Sequence, residues 1–329
     1  MPGSELTMGG IAVAGTILAD KLNEIEAYPQ AGELTKIRRV SRAAGGCVPN
    51  TAIDLKKLDP SLDVEAVGLV GDDADGEFLI GTLRENGVCT DGVKSVRGGR
   101  SGFTEVMSVA GGQRTFFSFA GANADFSAED VDFDAMRGTM LHLGYFLLLD
   151  AVDQGEGLKI LRKAKEKGIR TSIDLVSENS ERYKKVLPCL GYVDNLIVNE
   201  TEAGRLTGMR PSLGNLPRIA EKLLKEGVKE RVIVHCPEAG VCASERGTQL
   251  QASFALPQGF IQGTTGAGDA FCAGALLGIY RDKSDGEILQ YASWAAVCAL
   301  SETDATGGMR ALAEARAFCS NFERRKLCL

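Results

Sequence analysis

The chain has 329 residues, enough to bury a large core, and its 44% hydrophobic and 25% charged residues are ordinary for a globular protein. A formal net charge of −7 argues against nucleic acid or an anionic membrane as partner. Nine scattered cysteines without a C-x-x-C pair, and only two histidines, His142 and His235, read as reduced thiols in a cytoplasmic protein with no metal cluster.

Ile11-Ala12-Val13-Ala14-Gly15 is a short apolar run closed by glycine, the pattern of a buried parallel strand. The apolar stretch to Ala19 ends in Asp20-Lys21 and lacks a preceding basic region, so it is not read as a signal peptide. No stretch reaches membrane-spanning length. Ile25 to Val40 alternates loosely around Pro29 and Gly32 and reads as a solvent-facing strand pair. Gly45-Gly46 then makes a glycine turn ahead of a helix from Ile53 to Leu58, with Asn50 in the lead-in. An amide that donates and accepts suits a sugar hydroxyl, and it suits helix capping equally. Val64 to Gly71 reads as a strand. The acidic run Asp72-Asp73-Ala74-Asp75 favours the start of a helix, Glu77 to Asn86, because the later glutamate of a calcium loop is missing. Phe103 to Val109 and Arg114 to Phe119 form a hairpin across Ala110 to Gln113, with Arg114 at its turn.

From Met140 onward strands alternate with helices. Strands are expected at Met140–Gly144, Thr171–Leu175, Leu196–Asn199 and Val232–Cys236, with helices at Leu158–Lys167, Glu200–Thr207 and Leu216–Glu226. That order argues for a parallel sheet covered on both faces, which binds ligands beyond its strand C-terminal ends. Asp174, Asn199, Glu202 and His235 fall at or just past such ends. Asn199 and Glu202 share one face of a helix start, whether to serve a ligand or to cap an acidic first turn. Thr264-Thr265-Gly266-Ala267-Gly268-Asp269 leads into an apolar helix, Ala270 to Tyr280. Glycines at a helix start expose backbone N–H groups at the positive end of the dipole, a ready anion site. A carboxylate there would repel the anion unless it works on a proton or a metal; Asp269 as a plain cap is the other reading. Ile288 to Leu300, with the single tryptophan Trp294, reads as core helix.

Thr264-x-Gly266-Ala267-Gly268-Asp269 resembles the C-terminal signature of the ribokinase-like (PfkB) carbohydrate kinases. Gly45-Gly46-x-x-x-Asn50-x-Ala52 resembles their N-terminal signature, and Gly15…Asp20, Asn199…Glu202 and Gly240 follow in register. The resemblance implies an α/β fold, a three-layer α/β/α arrangement with a mostly parallel central sheet and a small β-sheet lid. It implies a single domain over residues 1–329, with lid segments at about 17–42 and 97–122 that cover the sugar and often make a homodimer contact. By the same resemblance Asp269 is the general base, and Gly266, Ala267 and Gly268 steady the transferred phosphoryl group. Asp20, Gly45, Gly46 and Asn50 hold the sugar, with Arg114 in reach. Asn199, His235, Gly240, Thr264, Gly268 and Ser293 attend the nucleotide, Glu202 holds Mg2+, and the turn Thr306-Gly307-Gly308 borders the adenine. Two departures stand out. Gly263 replaces an Asp that helps to hold a monovalent cation, so potassium activation is expected to be weak or absent. Pro237 replaces a glycine of the nucleotide loop and removes an N–H.

The implied activity is transfer of the ATP γ-phosphate to a hydroxymethyl group of a small neutral sugar or polyol. Neutrality is expected because Arg42, Arg100 and Arg114 are the only cations placed near the sugar segments. A nucleoside kinase, a sugar-phosphate kinase and a catalytically idle sugar-binding regulator are the alternatives on this fold. A dinucleotide oxidoreductase is disfavoured, since no Gly-x-Gly-x-x-Gly follows the first strand.

Overall fold

The computed structural model describes residues 9–109, 114–177 and 181–327. The first half of the chain carries strands β1 (Ile11–Ala14), β2 (Leu18–Ile25), β3 (Ile37–Gly45), β4 (Val64–Gly71), β5 (Cys89–Val96), β6 (Gly102–Val109) and β7 (Arg114–Phe119), with helices α1 (Cys47–Leu58) and α2 (Ala74–Glu85). The second half carries β8 (Met140–Phe146), β9 (Arg170–Leu175), β10 (Asn195–Asn199), β11 (Arg231–His235), β12 (Ala239–Ser244) and β13 (Gly247–Ala252). Its helices are α3 (Gly157–Glu166), α4 (Glu200–Thr207), α5 (Leu216–Lys225), α6 (Ala267–Tyr280), α7 (Asp285–Leu300) and α8 (Leu312–Cys319).

The apolar runs pair into a nine-stranded sheet in the order β13-β12-β11-β10-β9-β8-β1-β4-β5. Pairing is parallel from β11 to β5, and the pairs β11–β12 and β12–β13 are antiparallel, so β12 alone runs against the others. Period-two alternation along β1 splits its side chains between two cores. Ala12 and Ala14 face the core shared with α3, α4 and α5, while Ile11 and Val13 face the one shared with α1, α2, α6 and α7. This is the three-layer arrangement. It brings the strand C-terminal ends and the starts of α1, α4 and α6 to one edge.

A separate four-stranded sheet has the order β3-β2-β6-β7. Its central pair, β2 and β6, is parallel, and its outer pairs are antiparallel. Two contacts seat it. Lys21 and Arg42 both pair with Asp75 of α2, at 2.9 and 3.0 Å, and the Arg42 guanidinium lies 3.8 Å over the Phe78 ring. The Asn123 side chain accepts from Ile17 N–H at 3.0 Å and donates to Ile17 C=O at 2.8 Å, which fixes the chain where it enters β2.

Several elements differ from the sequence-based expectation. Ile25 to Val40 holds only the near ends of an antiparallel pair: β2 ends at Ile25, β3 begins at Ile37, and Pro29 and Gly32 lie in the connection between them. Helices begin earlier than their apolar runs, α1 at Cys47, α2 at Ala74 and α6 at Ala267, because Gly46, Asp73 and Gly266 occupy the N-cap positions. His235 to Gly240 forms the tight hairpin between β11 and β12, so the strand expected to reach Cys236 ends at His235. The Ala110–Gln113 turn lies outside the described residues. The described cysteines are free thiols, and among the described residues no helix is long and apolar enough to cross a membrane.

Candidate active site

The start of α6 is built so that only glycine serves as its cap. Gly266 has φ 76°, and a Cβ there would sit 2.6 Å from Ala305 Cβ. Gly268 is different: an added Cβ would meet nothing nearer than His235 Cε1 at 3.9 Å. The Ala267 N–H closes a turn onto Thr264 C=O at 3.3 Å. That leaves the first-turn amides of Gly268 and Asp269, which have no intrahelical acceptor, to face an anion.

Asp269 sits in this first turn and is 6% exposed. Its Oδ2 accepts from Asn50 Nδ2 at 2.9 Å and from the Tyr145 hydroxyl at 3.0 Å. Burial, helped by the nearby Asp174 charge, pushes its carboxyl up to about 7, against the pull of those two hydrogen bonds. Asn50 Oδ1 is buried and has no partner in the protein, so one acceptor remains beside Asp269. Tyr145 carries no motif signal. Only its place at the end of an apolar strand pointed towards the site.

On one side a cavity of about 270 Å³ lies under the small sheet, lined by Asp20, Arg39, Ser41, Arg114, Thr265 and Asp304 among others. Gly45 makes room for Asp20, since a Cβ at Gly45 would fall 2.3 Å from Asp20 Oδ2. Burial pushes the Asp20 carboxyl up to about 6. Arg114 reaches across from β7, donating from Nη1 to Thr265 Oγ1 at 3.3 Å. Arg42 and Arg100 do not line this cavity. Arg42 is spent on Asp75 and Phe78, and Arg100 follows the loop after β5, where its C=O accepts from Ala122 N–H. Arg39, which the sequence did not single out, lines it instead.

On the other side a cavity of about 430 Å³ is lined by Asn199, His235, Gly240, Thr264, Gly268 and Ser293, with Pro237 and Phe271. The residues expected to attend a nucleotide therefore converge. His235 packs on the Phe271 ring with centroids 4.6 Å apart, and burial pulls its pKa down to about 4, so it is neutral near pH 7. The Ser293 hydroxyl donates to Leu289 C=O at 2.7 Å, so its donor is used within α7. The Thr306–Gly308 turn does not line the cavity. It is tied towards α1, where Lys57 Nζ donates to Thr306 C=O at 2.8 Å.

Between the two lies a space of about 200 Å³ bordered by Tyr145, Asp174, Asn199, Glu202, Gly266 and Asp269, among others. Glu202 belongs to a capping box on α4. Its Oε1 accepts from Ser177 Oγ and Asn199 Nδ2, both at 2.8 Å, and its Oε2 from Asn199 N–H at 3.0 Å. Burial raises its carboxyl to about 7. Three carboxylates with no lining Lys or Arg suit a hard cation, and Glu202, its oxygens already engaged, would hold one through water. The fold also gathers His142, Asp174 and Cys272, which spacing along the chain did not show. His142 Nδ1 lies 2.9 Å from Ser172 Oγ, and its Nε2 lies 3.5 Å from Asp174 Oδ2 and 3.6 Å from Cys272 Sγ. A larger, open depression of about 1140 Å³ over α7 and α8, lined by Tyr291, Trp294 and Arg316 among others, is away from these strand ends.

Comparison with known proteins gives a consistent picture. The model of the pfkB family carbohydrate kinases matches residues 11–312. A ribokinase of Arabidopsis thaliana is 29% identical over 292 residues, 87% of this chain and 74% of its own length. A ribokinase of Lactococcus lactis is 25% identical over 96% of this chain and 99% of its own. Fructokinase-1 of Zea mays is 27% identical over 82% and 85%. Among solved structures, Arabidopsis thaliana ribokinase complexed with ribose and ATP superposes with a TM-score of 0.80 at 25% identity, covering 94% of this chain and 98% of that one. Thermotoga maritima ribokinase gives 0.79 at 22% identity over 95% and 99%, a likeness of fold.

The raised Asp269 pKa has a stability consequence. Ordinary carboxyl 3.8, folded about 7: the fold favours the protonated form, so the stability it contributes is full below about pH 4 and is lost as pH rises through 7. Asp269→Asn removes the ionising group. We expect its thermal midpoint to match the parent near pH 4 and to exceed it by several degrees at pH 8, with the gap opening between those values. Equal midpoints across the series would show that the carboxylate is not held at a cost.

Proposed function

This chain belongs to the PfkB family of carbohydrate kinases, and we propose that it transfers the γ-phosphate of ATP to a hydroxymethyl group of a small neutral sugar or polyol. The family's reaction is phosphotransfer to an alcohol. The observation that carries the reading is Asp269, a buried carboxylate at an amide-rich helix start, between one cavity of nucleotide size and one beneath the small sheet.

In this reading Asp269 takes the proton of the acceptor hydroxyl. The freed oxygen bonds to the γ-phosphorus as the bond to the β–γ bridging oxygen breaks, and ADP departs. A base held near pH 7 matches its task. The amides of Gly268 and Asp269 and the α6 dipole offset charge on the transferred group, so catalysis is chiefly positioning and electrostatics. Mg2+, held through water by Glu202, would neutralise phosphate charge. His235, Gly240, Thr264 and Ser293 border the nucleotide, while Asp20 and the open Oδ1 of Asn50 receive sugar hydroxyls.

A neutral acceptor fits the charges on the sugar-side cavity, where Asp20, Glu24 and Asp304 offset Arg39 and Arg114. The small sheet is the lid in this account, with Arg114 meeting Thr265 beneath it. Its face away from that cavity exposes Val40 at 68%, Phe117 at 59% and Phe119 at 43%, a surface suited to the lid of a second copy. The free thiols fit a reducing compartment such as the cytoplasm.

Turnover of ATP with matched acceptors tests the function: ribose against ribose 5-phosphate, fructose against fructose 6-phosphate, and a nucleoside. We expect the neutral sugars to be phosphorylated, and Asp269→Asn to lower kcat by about two to four orders of magnitude. Turnover of phosphorylated members alone would overturn the neutral-acceptor reading and make Arg39 and Arg114 the residues to mutate. For potassium, the family's aspartate is absent, and a Cβ at Gly263 would lie 3.0 Å from Glu302 C=O and 3.1 Å from Thr303 Cα, so a side chain there would fit only if the 302–303 backbone gave way slightly. The rate in potassium should stay within about tenfold of that in a bulky organic cation at equal ionic strength, and a larger gain would refute this. For the lid surface, sedimentation should find a dimer that Phe117→Asp converts to monomer; a parent that sediments as a monomer would exclude the contact.

A further inference from the structure

We propose that Tyr145 is the positioning residue for the base: its phenol holds Asp269 Oδ2, leaves Oδ1 to the acceptor hydroxyl, and is delivered there by a strained backbone at the end of β8. The inference rests on the reading of Asp269 as base and adds a residue that neither family signature contains.

Three observations carry it. The first is the hydrogen bonding. Tyr145 Oη and Asn50 Nδ2 approach from β8 and α1, and both donate to the same oxygen of Asp269, at 3.0 and 2.9 Å. A carboxylate gripped at one oxygen from two elements has its plane fixed, and Oδ1 receives neither donor. The second is the backbone. Tyr145 has φ 57°, in the left-handed region that a bulky side chain rarely adopts. The β8–β9 ladder shifts register there, between Leu143 and Phe146. Such strain persists only where the surroundings over-determine it. The third is what over-determines it. The Tyr145 N–H donates to Asp174 Oδ1 at 2.6 Å, and Asp174 Oδ2 in turn lies 3.5 Å from His142 Nε2. The partner strand thus holds the peptide that aims the phenol.

The protonation states agree with this geometry. Burial pushes the Tyr145 phenol well above its ordinary value, so it keeps its proton and donates to ionised Asp269. Other titratable groups facing Asp269 are Cys47 and Asp54 from α1, Asp20 from β2, Asp174 from β9, Cys272 from α6 and His235 from β11. The carboxyls and thiols carry no positive charge, and His235 is neutral near pH 7. With no cation among them, losing the phenol donor leaves the carboxylate charge less stabilised.

Tyr145→Phe removes the donor and keeps the ring. We expect kcat to fall about tenfold, a part of what a whole general base supplies. The acid limb of the kcat/KM profile should move to higher pH, because a hydrogen bond to the charged form had held the pKa down. The KM for ATP should stay unchanged. A purely packing role would lower the thermal midpoint without moving that limb. Tyr145→Asn, whose residue type tolerates left-handed backbone but has no phenol, is the second variant and carries the same expectation should the Phe variant not fold. Asp269→Asn runs in parallel. If it is inactive while folded Tyr145→Phe keeps the parent's kcat and acid limb, the Tyr145 inference is wrong and the base reading stands. If Asp269→Asn turns over like the parent, the base reading itself has failed.

Discussion

The architecture of the site depends on one constraint, the burial of the Asp269 carboxylate at the start of a helix with no lining cation to pair it. A buried charge without a partner is strongly disfavoured, so the fold supplies hydrogen bonds from two other elements and the positive end of α6. Those donors come from α1, which follows the glycine turn of the small sheet, and from β8, at the centre of the large one. The three elements must therefore meet within hydrogen-bond reach of one carboxylate oxygen. Elsewhere the protein places its close approaches accordingly: Gly45 under Asp20 and Gly266 against Ala305 both remove a side chain where one would push these elements apart.

Parallel pairing does the rest. With β1, β4 and β8 to β11 running one way, their C-terminal ends and the following helix starts collect on a single edge. The two antiparallel strands β12 and β13 close the sheet beyond β11, and their hairpin puts His235 and Gly240 side by side on the larger cavity. Asn199 and Glu202 show how local and distant demands combine. Their reciprocal hydrogen bonds start α4, and the same arrangement holds a carboxylate at the rim of the space between the cavities. The cap and the candidate cation-side carboxylate are one structure here, so the two readings that the sequence left open are compatible.

Much of this was legible because it is local. Short continuous apolar runs marked β1, β4 and β8 to β11 nearly to the residue, and the α4 bounds fall as expected at Glu200–Thr207. Helix starts were read late, at α1, α2 and α6, since apolar periodicity begins only after the polar or glycine first turn. The motif residues Asp20, Asn50, Glu202, Gly240 and Asp269 were legible because each sits in a local pattern. Tyr145, Arg39 and the His142–Asp174–Cys272 grouping were not, because they meet through strand register and lid placement rather than through spacing along the chain. Arg42 was misplaced for the opposite reason: a basic residue near a motif looks available, and only the fold reveals Asp75 and Phe78 beneath it.

Gly263 bears on how this chain could change. The family's usual aspartate would fit here only if its surroundings gave way, because a Cβ at Gly263 would lie 3.0 Å from Glu302 C=O and 3.1 Å from Thr303 Cα, so the 302–303 segment would have to shift by a few tenths of an ångström. That segment leads into Asp304 and Ala305, which line the sugar-side cavity, and Ala305 also packs against Gly266. A side chain at Gly263 would therefore be felt both at the turn before α6 and in the cavity under the small sheet, so a substitution at one loop position couples two regions that lie apart along the chain.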